Sequence, residues 1–377
     1  MERPPLLRRS WRWLRPSIGR GSWPFLPQND KKLQNIENNC ERVYDERIMK
    51  PTINEIAALA GVAKSTVSKA LNGQRGVSEE KRQEILSIVK RLDYEPTASA
   101  RALASQRAGS IALVLPTRAG YSLTGAYWSA IISSISDYAA SRSYTLLVLS
   151  PQAGSSASDL IDGTLKRRTV DGLILGPEHL YPDVFTRLET AGIPFVFIGQ
   201  AGDGNTYAVD VDNAKGSLML VRHLLKRGYT RIACMTGPAD CGYVRDRIAG
   251  YRNALAEAGL VWEVVASSSY RKEDTCAAMR TLLRGHPDCD ALYIAAGGDF
   301  FLDCLDTVRE VRGTADGLGF CSFDDHRYLD YLGVRVTTAR QPLMDIGVGA
   351  AQILFDVLAG KDPGQCVRVY DVDIIER

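Results

Sequence analysis

The chain has 377 residues, 45% of them hydrophobic and 24% charged, which is the balance of a soluble protein with room for a small domain and a larger one with its own core. No apolar run approaches the ~20 residues of a membrane span, and the eight cysteines show neither CxxC nor Cys/His metal spacing, so reduced, mostly buried thiols in a cytoplasm are expected. The formal charge of +2 hides a polarity: residues 1–48 and residues 49–107 each carry +4, leaving −6 on the rest, so contact with phosphate is expected at one end only.

Residues 1–48 contain the stretch RRSWRWLRPS, lack the apolar core of a signal peptide and show no sustained period, and they are expected to be disordered. The pattern sharpens at Thr52–Gly73, TINEIAALAGVAKSTVSKALNG. Thr52 and Glu55 form a Thr-x-x-Glu capping box, so a helix should begin at Ile53, with Ile53, Ile56, Ala57 and Ala60 on one apolar face. Gly61 suits a sharp turn. A second helix is predicted over Lys64–Leu71, with Val67 and Leu71 on one side and Lys64, Ser65, Ser68 and Lys69 on the other. That is a helix-turn-helix presenting small polar and cationic side chains, as base-edge and phosphate contacts require; the plain alternative is an ordinary helical hairpin. Ser78 should cap a third helix with Glu79 and Glu80 at its positive end, and Ile85, Val89 and Leu92 should close a small core. Pro96 ends that helix, and an Ala-rich stretch, TASARALAS, follows from Thr97 to Ser105.

The order Met-Lys-Pro-Thr-Ile, helix-turn-helix, YxP and ARxLA resembles the lac repressor family of bacterial transcription regulators, and the similarity runs from Met49 to the last residue. The resemblance implies a DNA-binding domain at 49–95 and a hinge helix or linker at 96–108. It places Thr52, Lys64, Ser65, Thr66, Ser68, Lys69 and Asn72 on operator DNA. Arg101 would meet phosphate or minor-groove acceptors, and Leu103 would be the wedge that kinks the duplex. Relatives begin at the equivalent of Met49, so residues 1–48 are read as a non-native extension from a start placed too early; a basic arm that binds phosphate is the other reading. One departure is Ala63, where relatives carry a Ser or Thr that caps the recognition helix, a contact worth about 1 kcal/mol.

From Ser110 short apolar runs alternate with helical stretches: IALVLP, TLLVLS, GLILG, FVFIG, RIACMTG, ALYIAAGG and GFCSFDD. Such runs indicate α/β architecture with parallel sheets covered on both faces, and their number calls for two lobes with a cleft at the carboxyl ends of the strands. This resembles the periplasmic-binding-protein architecture. The effector-binding and dimerisation domain is expected at 109–377, lobe one at about 109–209 plus 342–365, and lobe two at about 210–340 plus 366–377.

Catalytic patterns are absent: there is no GxSxG, Walker loop or strand-linked GxGxxG, and none of the four histidines pairs with a nucleophile, so an enzyme is not expected, nor any cofactor or metal. A ligand cleft is better supported. Arg247 precedes Gly250-Tyr251 in the family's Arg-x-x-Gly-aromatic pattern, where the resemblance implies paired hydrogen bonds to an effector; a solvated Arg paired with Asp246 or Glu257 is the alternative, and Arg245 the substitute. Asp324, after the GFCSF strand, would accept from effector hydroxyls or ring N–H groups, and Gln341 stands at the crossover between lobes. Tyr127-Trp128 and Tyr270 are placed to stack on a ligand or, equally, to anchor helices. Many sugar-binding relatives carry Asn-Asp where this chain has Gly297-Gly298-Asp299, which removes an amide contact unless Asp299 replaces it.

The resulting expectation is a homodimeric, cytoplasmic transcriptional repressor of palindromic operators, controlled by a small-molecule effector. A carbohydrate is the first choice and a nucleoside or other polar metabolite the second. A regulator that senses a protein partner and a stand-alone solute-binding protein are the rivals; the second would need a signal peptide and no helix-turn-helix.

Overall fold

The computed structural model describes residues 51–94, 107–115, 126–150, 157–176, 182–199, 207–363 and 367–377. Residues 1–48 and the hinge candidates Arg101 and Leu103 lie outside the described residues. Contacts divide the chain between Pro96 and Thr97 into two units.

The first unit holds three short helices, α1 (Ile53–Leu59), α2 (Lys64–Leu71) and α3 (Glu79–Arg91). None is long enough to persist alone, so their ends matter. At the start of α1 the Glu55 amide donates to Thr52 Oγ1 while the Thr52 amide donates to Glu55 Oε2, the reciprocal box expected from the sequence. Its far end closes with Gly61 at φ 62° and the Val62 amide donating back to Ala57, a turn that a β-carbon would strain. The carboxyl end of α2 is covered from α3: Arg82 donates Nη1 to the Ala70 carbonyl at 2.9 Å and Nη2 to that of Gln74 at 2.7 Å. A cation is thus set against the negative end of a helix dipole. The core is Ile56, Ala57, Ala60, Val67, Ala70, Ile85, Ile88 and Tyr94. Val89 and Leu92, expected to close it, are only partly buried, because Ile88 takes the inward position between them and Ile85.

The second unit carries two six-stranded sheets. Sheet one runs in the order β11 (Val367–Tyr370), β5 (Ala208–Val211), β4 (Phe195–Ile198), β3 (Gly172–Leu175), β1 (Ser110–Val114), β2 (Thr145–Leu149). Sheet two runs β12 (Asp373–Ile375), β10 (Val336–Arg340), β9 (Gly319–Phe323), β8 (Ala291–Ile294), β6 (Ile232–Thr236), β7 (Val264–Ser267). All pairings are parallel except β10 with β12. The central strands β3, β6, β8 and β9 are buried along their whole length, which explains the unbroken apolar runs.

Helices α4 (Ala126–Ala140), α5 (Ala157–Arg167), α6 (Pro182–Ala191) and α11 (Leu343–Leu358) belong with sheet one. With sheet two go α7 (Asn213–Lys226), α8 (Gly242–Glu257), α9 (Lys272–Gly285) and α10 (Asp299–Arg312). The α7–α8 contact is close: a β-carbon on Gly250 would lie 2.1 Å from the Ala214 carbonyl oxygen.

The chain passes between lobes three times, after β5, after β10 and after β11. The expected lobe limits need correction. Residues 210 and 211 complete β5 in lobe one, and Val367–Tyr370, assigned to lobe two, pairs with β5 in sheet one. Only from Asp373 does the chain join lobe two, against β10. Val367 and Val369 are exposed on an edge strand, so this segment lacks the apolar run that marks an inner one.

Candidate functional site

Two surfaces bear on function, one in each unit. In the first, α2 buries Val67 and Ala70 and leaves Lys64, Ser65 and Lys69 exposed, with Thr66 and Ser68 half-buried beside them. Lys64 and Ser65 form the first turn, where side chains reach base edges. Two expected contacts already have local partners. Thr52 Oγ1 serves the α1 capping box, and Asn72 Nδ2 donates to the Ser68 carbonyl at 2.8 Å as a cap for α2.

In the second unit, the carboxyl ends of the strands of sheet two carry a polar cluster built around Arg247, 5% exposed on the second turn of α8. Its guanidinium lies over Phe323, 3.6 Å from the ring centroid, donating Nε to Asn213 Oδ1 and Nη1 to the Ala295 carbonyl, both at 2.8 Å. Nη2 makes no hydrogen bond among the described residues and remains for a ligand. Neither Asp246 nor Glu257 pairs with Arg247: Glu257 is held by Arg222 on the far face, and Arg245 points outward, exposed. The Arg-x-x-Gly-aromatic pattern now has a physical meaning. Arg247 enters the site, Gly250 permits the close approach of α7, and Tyr251 anchors α8 by donating to the Ile232 carbonyl at 2.7 Å.

Asn213 passes the contact on. Its Nδ2 donates to Asp210 Oδ1 at 3.1 Å, so the last polar residue of β5 in lobe one is linked through one amide to Arg247 in lobe two. Burial pushes the Asp210 carboxyl up to about 6, against the opposing effects of the Val211 amide and the Arg247 charge. Across the cluster, Asp324 closes β9 in the left-handed region at φ 64°, and its Oδ1 accepts from Gln341 Nε2 at 2.6 Å. Gln341 is on the second crossing between lobes.

Tyr127 reaches the same site from α4 in lobe one. Burial pushes its hydroxyl well above the ordinary range, the Asp324 and Asp210 carboxylates add to the rise, and Arg247 opposes it. Tyr270 lies on the other side, its hydroxyl 2.5 Å from that of Tyr243 and its ring edge-on to Phe300. Burial raises its hydroxyl to about 12, with the Tyr243 hydrogen bond and Arg247 opposing.

Two expected effector residues stand elsewhere. Trp128 is 2% exposed within the apolar core. Neighbouring helical residues point about 100° apart, so when Tyr127 faces the cleft Trp128 faces the sheet. Asp299 is exposed at the first position of α10, where its charge is felt by the Tyr328 hydroxyl.

The chain matches two family models. One, described as bacterial regulatory proteins of the lacI family, covers residues 52–97; the other, described as periplasmic binding proteins and the sugar-binding domain of the LacI family, covers 108–355. The chain belongs to the LacI family. As such it is a DNA-binding transcriptional regulator with a helix-turn-helix unit and a periplasmic-binding-protein-like unit. It is 29% identical to the HTH-type transcriptional regulator CelR of Thermobifida fusca over 84% of this chain and 94% of that protein. To the ribose operon repressor of Halalkalibacterium halodurans it is 26% identical, over 82% and 91%. Among solved structures, a CelR–cellobiose complex shares the fold with a TM-score of 0.65 at 27% identity, covering 86% of this chain and 98% of that one. A lac repressor dimer bound to operator and the anti-inducer ONPF gives 0.73 at 20% identity, covering 87% and 98%.

Within this LacI-family chain the Gly297-Gly298 departure has a steric basis. A β-carbon on Gly297 would sit 2.5 Å from the Asp324 β-carbon and 2.6 Å from the Phe323 carbonyl oxygen, so no side chain fits there while Asp324 holds its place. Sequence reasoning missed Asp210, Asn213, Tyr243 and Phe323. For Asp210 a signal existed: a carboxylate inside the apolar strand AVDV is costly unless it is used.

Proposed function

We propose that this regulator is a cytoplasmic repressor that binds a palindromic operator as a homodimer, acts by binding alone, and takes a neutral sugar as its effector between the lobes. The observation that carries the effector class is the charge of the cluster, one guanidinium facing two carboxylates. A phosphorylated or carboxylated ligand would meet Asp210 and Asp324 as well as Arg247. A neutral polyol instead accepts from Arg247 Nη2 and donates hydroxyls to both carboxylates, which are acceptors only when ionised. Tyr127, Tyr270 and Tyr243 supply apolar ring faces with polar tips, the lining that suits a sugar ring. The relatives named for cellobiose and ribose support the same class.

Control follows from where the partners sit. Asn213 follows the first crossing and Gln341 occupies the second, so a ligand that draws on Arg247, Asp210 and Asp324 acts on the segments that join the lobes. Coupling to the operator requires that the effector bind one lobe arrangement more tightly than the other. In the first unit, Lys64, Ser65 and Lys69 would read major-groove edges, and Leu103 would deform the operator centre. Isothermal calorimetry against cellobiose, ribose and other neutral sugars, sugar phosphates and nucleosides, paired with operator binding in each ligand, tests this. Binding of neutral sugars with a changed operator affinity is the expected result. Binding of phosphorylated ligands or nucleosides alone would overturn the sugar reading.

A further inference from the structure

Asp324 poses a problem of position. It sits in the left-handed region, which costs a non-glycine residue about 1–2 kcal/mol, and its carboxylate must stay turned toward the cluster. Its own contacts are the Ala339 carbonyl, which accepts from its amide at 3.0 Å, and Gln341. The next residue is held far more firmly. Asp325 Oδ1 accepts from Thr338 Oγ1 at 2.8 Å and from Arg377 Nη1, while Arg377 Nε donates to Asp330 Oδ1 at 2.6 Å. The Arg377 and Asp325 side chains are largely buried, and Asp330 closes the 3-10 turn Arg327–Tyr331 that follows. One guanidinium therefore ties both ends of the segment 325–330 to strand β10. Burial alone would raise the Asp325 carboxyl; the hydrogen bonds from Arg377 and Thr338 outweigh it and hold the group below its ordinary range.

We infer that Arg377 is a positioning residue of the effector site: through Asp325 and Asp330 it holds Asp324 in the left-handed conformation that aims its carboxylate at the ligand. This rests on the proposed sugar site for its function but not for its geometry. Two carboxylates reached at once through Nε and Nη1 require a planar fork, so lysine can keep one partner and not both.

The test uses the full chain. In the unliganded protein, hydrogen exchange in Arg377→Gln should quicken at least about tenfold at residues 324–331, with β8, α8 and α10 unchanged, and Arg377→Lys should restore part of the protection. Unchanged exchange at 324–331, or a uniform rise throughout lobe two, would overturn the inference. With cellobiose as probe, Arg377→Gln should weaken binding at least about tenfold while leaving operator affinity in the absence of sugar unchanged. In an Asp324→Asn background the same substitution should add almost nothing; a full additive loss there would show Arg377 acting by another route and overturn it. If the unaltered protein gives no heat with cellobiose, the sugar choice fails while the exchange measurement still decides the clamp.

Discussion

The two units are held together by different means. The helix-turn-helix unit has eight buried apolar residues and relies on its helix ends: a capping box, a left-handed glycine and Arg82 on the carbonyls closing α2. The effector unit relies on packing, with buried parallel strands and helices that touch through glycine. Function follows the same division. DNA-facing residues are exposed side chains whose exchange costs the fold little, whereas Arg247 is buried and serves fold and ligand together. The comparison teaches that operator preference can change residue by residue, while effector specificity is tied to the interior.

The largest effect that would probe this contrast is at Gly250. A valine there drives a branched side chain into the backbone of α7, which no rotamer relieves, and we expect a loss of at least about 3 kcal/mol in the effector unit. Exchange protection of residues 53–91 should survive, since their core is separate. Simultaneous loss of protection in both units would break the comparison. Next comes Arg247→Ala. It removes the donor to the ligand and leaves Asn213 Oδ1 and the Ala295 carbonyl without their partner, so effector affinity should fall by about 2–3 kcal/mol while operator affinity without effector is retained. Calorimetry and a gel shift on one preparation decide it. Normal effector binding would take Arg247 out of the site.

Asp210 sharpens the contrast through pH. Its carboxyl is pushed up to about 6, above the ordinary range near 4, so between those values the folded state binds a proton that the unfolded state has released. Stability contributed at this residue therefore falls as pH rises from about 4 to 6, and the ionised form is carried at a cost at neutral pH. Asp210→Asn should stabilise the effector unit at pH 7 by on the order of 1–2 kcal/mol, with the gain vanishing near pH 4, and should weaken the sugar. A denaturation series across pH checks the sign. A destabilised variant at pH 7 would mean that the carboxylate is needed for the fold.

Much of this was readable in the sequence because local rules decide it. Thr52, Gly61 and Ser78 announce helix ends through chemistry confined to a few residues, and β3, β6, β8 and β9 announce themselves because both faces are buried. Arg247, Asp324 and Gln341 were legible through the family pattern around them. The rest was not, because it depends on distant partners. Asn213 gains its role from Asp210 and Arg247, which come together only in the folded lobes. Trp128 and Tyr127 are indistinguishable in a linear pattern, although the helix turns one to the core and the other to the cleft. Strand β11 pairs at an edge with its valines exposed, so no apolar run marks it.

The smallest effect belongs to the unit that depends on its helix ends. Ala63 stands at the N-cap of α2 with φ −69° and ψ 150°, the extended conformation a cap requires, yet its side chain makes no capping hydrogen bond. Serine adopts the same backbone, and its hydroxyl can accept from the amides of Ser65 or Thr66, groups that a helix start leaves short of partners. Ala63→Ser should therefore stabilise the unit by about 1 kcal/mol, a shift of several degrees in a domain this small. The position is exposed, so no core contact is disturbed. Slower exchange confined to the amides of 64–68, with the effector unit unaltered, is the expected signature. Because the hydroxyl lies next to Lys64 at the presumed base-reading turn, the substitution also asks whether stability and operator choice are separable there. An unchanged half-site preference in binding-site selection would keep them separate, whereas an altered preference would show that the missing cap is part of how this helix meets DNA.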